Sequence, residues 1–191
     1  MSSHEWSFLG DLSERVVALW LADDAELGFS ESDSLLPAHA RSTGWLGRPA
    51  ASTSQVADAQ ARLGCELPRS YRSFLAIANG WHGCAAVSVP HGLCNLDSTD
   101  DIDWFRTRDA HVGRLDSLRA MPATSDDFTI DVAHLESALL IGEGDGNECI
   151  PLNPRRQDDG EWQVITYDKE CGFDFFGNFH AFMKSLLEQV K

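Results

Sequence analysis

The chain is poor in positive charge: 15 lysines and arginines stand against 30 aspartates and glutamates, a formal net charge of -15 over 191 residues. Such a field repels phosphate backbones and anionic lipid head groups, so neither nucleic acid nor a membrane surface is a favoured partner. A basic protein partner fits it, because complementary potentials speed encounter and reject wrong partners. Solubility alone is the plainer reading of the same charge. Also missing is any apolar run approaching the roughly 20 residues a membrane helix needs. The first residues, MSSHEWSFLGDLSERVVALW, carry Glu5, Asp11 and Glu14 and lack the basic leader and apolar stretch of a signal peptide. The five cysteines, at positions 65, 84, 94, 149 and 171, are odd in number and form no CxxC pair. They read as reduced thiols, and a cytoplasmic location is expected. No GxSxG elbow is present to carry a serine nucleophile.

What is present suffices for one domain with a sizeable core. Hydrophobic residues make up 43% and charged residues 24%, close to ordinary globular usage. Ser2 with Glu5 fits a capping box, and Leu9, Leu12, Val16, Leu19 and Trp20 predict an amphipathic helix over roughly residues 3–23, within an N-terminal unit of residues 1–27. Residues 28–51 are dense in Ser, Ala, Gly and Pro and read as a linker or surface arm, with Trp45 docking onto the body. A domain then spans residues 52–191. Its first helix is capped in the Ser52-Thr53-Ser54 cluster, carries Val56, Ala59, Gln60 and Leu63, and ends at Gly64. Pro68 opens a second helix whose Tyr71, Phe74, Leu75 and Ala78 form one stripe, and Asn79-Gly80 stops it.

Beyond Gly80 the periodicity changes from helical to strand-like. CAAVSV (84–89), LCNL (93–96), the hairpin ALLIGEGDGNECIPL and WQVITY (162–167) read as strands, and DDIDWFRTRD as a short helix. The polar stretch HVGRLDSLRAMPATSDDF has room for one more short helix. Asn178 caps a closing helix with Phe179, Phe182, Met183, Leu186 and Val190 on one face. The order of elements predicts an α+β fold, a mainly antiparallel sheet flanked by helices, with an N-terminal helical extension.

Candidate chemistry is thin. His82, Cys84, His91 and Cys94 are a legitimate tetrahedral zinc set by type, but the single residue between the first two does not match a knuckle, and alternation on a strand turns them apart. Buried thiols with histidines in turns is the plainer reading. His82 beside Cys84, or Cys171 with His180, lacks an orienting carboxylate for nucleophilic catalysis. The turn GEGDGN (142–147) puts carboxylates where a phosphate would sit, and its spacing is not that of a calcium loop. No metal, cofactor or catalytic residue is therefore assigned, and the chain is read as a non-enzyme. The acidic turns offer a surface instead: Asp97, Asp100, Asp101 and Asp103, then Glu143, Asp145 and Glu148, then Asp158 and Asp159 beside Glu161. Gathered at one end of the sheet, they would rim Trp104 and Trp162 as a protein-binding hot spot, with Trp162 as the anchor. Solvated acidic turns and core tryptophans are the alternative.

The run RLGCELPRSYRSFLAIANG, from Arg62 to Gly80, resembles the N-terminal signature of the SUKH superfamily, named partly for the Smi/Knr regulators of yeast cell-wall synthesis. Leu63-Gly64, Leu67-Pro68, Tyr71, Phe74-Leu75 and Asn79-Gly80 carry the likeness, and DIDWFR, LLIGEGDGNECIPLN and NFHAFMKSLLEQV resemble later family segments. Gln60 stands where the family often has Glu, and Asn147-Glu148 where many members have Gly-Asp. The resemblance covers residues 52–191. It implies a non-catalytic protein-binding module, foremost an immunity protein that occludes the active site of a cognate basic toxin such as a nuclease. A regulatory adaptor for several cellular proteins is the alternative, and a metal-dependent enzyme using the His82–Cys94 cluster is a third, less favoured reading. Neither the toxin nor the oligomeric state follows from the sequence.

Overall fold

The computed structural model describes residues 5–30, 34, 36–85, 93–108, 111, 115–116, 132–144, 148–168 and 172–190. In chain order these form α1 (Phe8–Leu27), α2 (Ala38–Thr43), α3 (Thr53–Leu63), α4 (Arg69–Leu75), β1 (Trp81–Ala85), β2 (Leu93–Leu96) and β3 (Asp103–Trp104). After a 3-10 turn over Phe105–Thr107 come α5 (Val132–Glu136), β4 (Leu139–Gly144), β5 (Cys149–Asp158), β6 (Glu161–Asp168), β7 (Gly172–Phe176) and α6 (Phe179–Gln189). Every strand pairing is antiparallel, in the order β1-β2-β4-β5-β6-β7, with β3 pairing β4 beside β2. This is the α+β architecture expected.

Period-two alternation divides the sheet's side chains between two cores. Leu139, Ile141, Ile150, Leu152, Trp162 and Val164 meet α1, α3, α4 and α6 in the main core, where Tyr71, Phe74 and Phe179 are fully buried. Leu140, Cys149 and Ile165 face the other way, onto Phe105, Leu115 and Leu135. Buried Asn153 ties α5 to this second face through the Nδ1 of His134, 3.0 Å away.

The local signals hold where the chain's own neighbours satisfy them. Ser52 and Gln55 form a reciprocal capping box on α3, Gly64 closes it at φ 69°, and the Asn178 side chain accepts the Ala181 amide at 2.8 Å on α6. Elsewhere tertiary contacts move the boundaries. The Ser2 capping box lies outside the described residues; α1 starts at Phe8, runs to Leu27, and exposes Leu19, which was expected on its buried stripe. Pro68 is the N-cap of α4, which ends at Leu75, short of Asn79-Gly80. Asn79 is engaged instead in accepting the Thr99 amide at 2.8 Å.

The stretch read as a surface arm carries α2 and buries Leu36, Ala40 and Leu46, with the Leu46 amide donating to buried Ser13 on α1 at 2.6 Å. Its few inward residues are irregularly spaced, so no period announced them. β1 begins at Trp81, earlier than the CAAVSV segment, because Trp81 pairs with Leu96 and bridges Gly47; residues 86–92 lie outside the described residues. The segment DIDWFR is a two-residue strand and a 3-10 turn, because Asp103 and Trp104 pair with Leu140 and Leu139. Both β7 and α5 went unpredicted.

Candidate binding surface

The segment between β2 and the 3-10 turn holds four of the expected acidic residues, and arginines tie it down. Arg108 donates to Asp97 at 3.0 Å and to Glu143 on β4 at 2.9 Å, so one guanidinium spans two carboxylates. Arg62 from α3 donates to the Ile102 and Thr99 carbonyls at 2.9 and 2.8 Å. Arg48 lies 4.0 Å from Asp101, which also accepts the Ser98 hydroxyl at 2.6 Å. Buried His111 adds its Nε2 to Glu143. Burial pushes the Asp97 carboxyl up from its ordinary value, with Arg108 pulling the other way. Asp103 accepts the Trp104 amide at 2.8 Å, and Asp100 stands exposed. Gly142 lets this end of the sheet close, since a Cβ there would lie 2.5 Å from the Asn95 carbonyl oxygen of β2.

The remaining acidic residues are elsewhere. Asp158 pairs with Glu161 across the β5–β6 turn, whereas Glu143 pairs with Cys149 at the other end of β5. At roughly 3.3 Å per residue the two groups stand about 30 Å apart along that strand. The structure therefore brings Asp97, Asp100, Asp101, Asp103 and Glu143 together and keeps Asp158 and Asp159 away from them. Glu148 is half-buried beside Cys149, and Asp145 lies outside the described residues. Trp162 is 6% exposed and belongs to the main core, so it presents no ring to a partner. Trp104 is half-buried on the same core and donates its indole N–H to the Leu63 carbonyl at 3.2 Å. Glu161 turns inward to hold Ser70 of α4, accepting its amide at 3.0 Å and its hydroxyl at 2.5 Å.

Of the zinc-type set, Cys94 is buried, His82 is half-buried near His39, His91 lies outside the described residues, and the Cys84 side chain is likewise undescribed. Among the described residues no three His, Cys, Asp or Glu side chains are grouped to hold a metal ion. Cys171 lies outside the described residues, and His180 stacks edge-on against Trp6 and Phe8. One surface escaped the sequence pattern: the end of α1, where Leu27 and Phe29 are exposed. Among the described residues no helix is long and apolar enough to cross a membrane.

Fold and surface together define an antiparallel α+β protein with an acidic exterior stitched by half-buried Arg48 and Arg108 and exposed Arg62. A model of the SMI1/KNR4 family (SUKH-1) matches residues 50–185, well over half of the chain. The chain belongs to that family. No curated protein matches it.

Proposed function

We propose that this chain is a non-catalytic, immunity-type binding protein that neutralises a basic protein toxin by covering its active site. The observation that carries this reading is the net charge of -15 on a member of the SMI1/KNR4 family. A nuclease is the toxin class whose phosphate-binding groove best complements such a surface. Exposed Asp100 and Asp101 at one end of the sheet, and Asp158 and Asp159 at the other, steer the encounter, while Asp97, Asp103 and Glu143 hold the first end in shape. Co-expression tests it: growth of cells making a toxin encoded beside this chain's gene is restored, and failure with every such toxin overturns the reading. Added salt weakens the complex mainly by slowing association.

The exposed apolar residues of α1, which precede the family-matching segment, favour a second reading as an adaptor for several cellular proteins. Pull-down separates the two. One stoichiometric basic partner supports immunity, and many substoichiometric partners support the adaptor.

A further inference from the structure

Among the described residues five large apolar side chains stand exposed: Leu19 (46%), Leu21 (36%), Leu27 (57%), Phe29 (50%) and Phe175 (51%). Four of the five fall within one short segment, the C-terminal half of α1 and the residue after its Gly28 cap. The spacing explains why. Leu9, Val16, Trp20 and Leu27 lie on one helical stripe, and the first three pack against the main core. The stripe overruns the core, so Leu27 points the same way with nothing of the described chain to cover it. Leu19 stands beside the stripe on the side of Asp23 and Glu26, eight residues and about 12 Å from Leu27 at 1.5 Å per residue. Leu21, two residues on, faces the other side of the helix. An apolar concentration of this kind on an otherwise polar exterior marks an interaction site.

The charge around it selects the occupant. Residues 5–30 contain Glu5, Asp11, Glu14, Asp23, Asp24 and Glu26 against a single base, Arg15. Arg15 donates to the Val190 carbonyl at 3.1 Å, and Asp24 is held by Arg41 of α2 at 3.1 Å. Asp23 and Glu26 are exposed and pair with no cation among the described residues. A second copy docked here would set this acidic helix against itself, and an anionic bilayer would be repelled in the same way. A partner that brings both apolar and basic side chains satisfies both features.

We infer that the C-terminal end of α1, with Leu19, Leu27 and Phe29 at its centre and Asp23 and Glu26 at its rim, docks a basic amphipathic segment of a partner protein. This rests on the protein-binding reading above and places the contact outside the family-matching residues 50–185.

The test uses the full chain and an 18-residue amphipathic peptide of Leu and Lys, with a Leu/Glu peptide of the same pattern as control. The Leu/Lys peptide binds saturably, salt weakens it, and hydrogen-exchange protection is confined to residues 19–29. A Leu27→Ser/Phe29→Ser double variant keeps its melting temperature, because both side chains are exposed, and loses more than tenfold in affinity. The Leu/Glu peptide does not bind. Equal binding by the double variant, or protection elsewhere on the chain, overturns the inference. So does a wild-type dimer in sedimentation that the double variant abolishes, since a second copy would then be the occupant. Co-expression separates the two levels. Toxin rescue that the double variant preserves in full removes this surface and leaves the protein-binding reading standing. Peptide binding at residues 19–29 without any toxin rescue removes the toxin and keeps the surface.

Discussion

Replacing Glu161 separates a structural carboxylate from a surface one. Helix α4 begins at Arg69 behind Pro68, which has no side-chain acceptor to offer the first free amides. Glu161 supplies it from β6, accepting the Ser70 amide at 3.0 Å and the Ser70 hydroxyl at 2.5 Å, with its side chain only 10% exposed. A hydrogen bond to a charged group contributes about 1.5–3 kcal/mol net, and an anion at a helix N-terminus adds about 0.3–1 kcal/mol. The Arg69 contact at 3.5 Å adds little, because that side chain is 69% exposed. In Glu161→Ala the buried amide loses its partner while the hydroxyl can turn elsewhere, so the loss is about 3 kcal/mol. For a chain of this size that lowers Tm by roughly 6–12 °C. Glu161→Gln keeps an acceptor oxygen without the charge and falls by about half as much. The Ser70→Ala/Glu161→Ala double variant loses less than the two single losses added together, because the two groups share one interaction. Thermal unfolding followed by circular dichroism measures all three. A Glu161→Ala protein within about 0.5 kcal/mol of wild type would refute the capping role. Partner association is unchanged in Glu161→Gln, since this carboxylate faces α4.

Gly142→Ala drives a Cβ to 2.5 Å from the Asn95 carbonyl oxygen, a backbone atom that cannot step aside. The β2–β4 pairing opens and the protein loses about 2 kcal/mol or more, seen as a lower urea midpoint. Ser52→Ala removes one half of the α3 capping box and costs about 1 kcal/mol by the same measurement. His82 is held below its ordinary value of 6.5 by burial first, then by Arg48 and His39. The unfolded chain therefore takes up this proton more readily, and the stability conferred by the neutral imidazole is present above 6.5 and lost as pH falls through that value toward the folded one. Tm drops as the pH falls through 6.5, and His82→Gln shows a smaller drop; an identical drop in the variant would show that His82 is not responsible.

Residues whose partners are close in sequence were legible beforehand. Ser52, Gly64 and Asn178 do in the fold what their types and spacing require, because a cap needs only the next three or four amides. The β4–β5 hairpin was legible for the same reason, and the family signature from Arg62 to Gly80 falls on α3, α4 and their connection. The acidic residues were legible only as a count. Whether a carboxylate is free depends on which arginine reaches it, and Arg108 meets Glu143 from 35 residues away while Glu161 meets Ser70 from 91 away.

The sequence by itself therefore determined the class of fold, the caps of α3 and α6 and an acidic character, since composition and short-range spacing control all three. Tertiary structure alone decided that Glu161 and Trp162 turn inward, that the expected rim divides between the two ends of β5, and that residues 36–46 join the core. It alone decided that the stripe of α1 outruns its own core at Leu27. The physical reason is the same in each case: burial and pairing depend on which distant groups the sheet register brings within a few ångströms, and no local pattern encodes that distance.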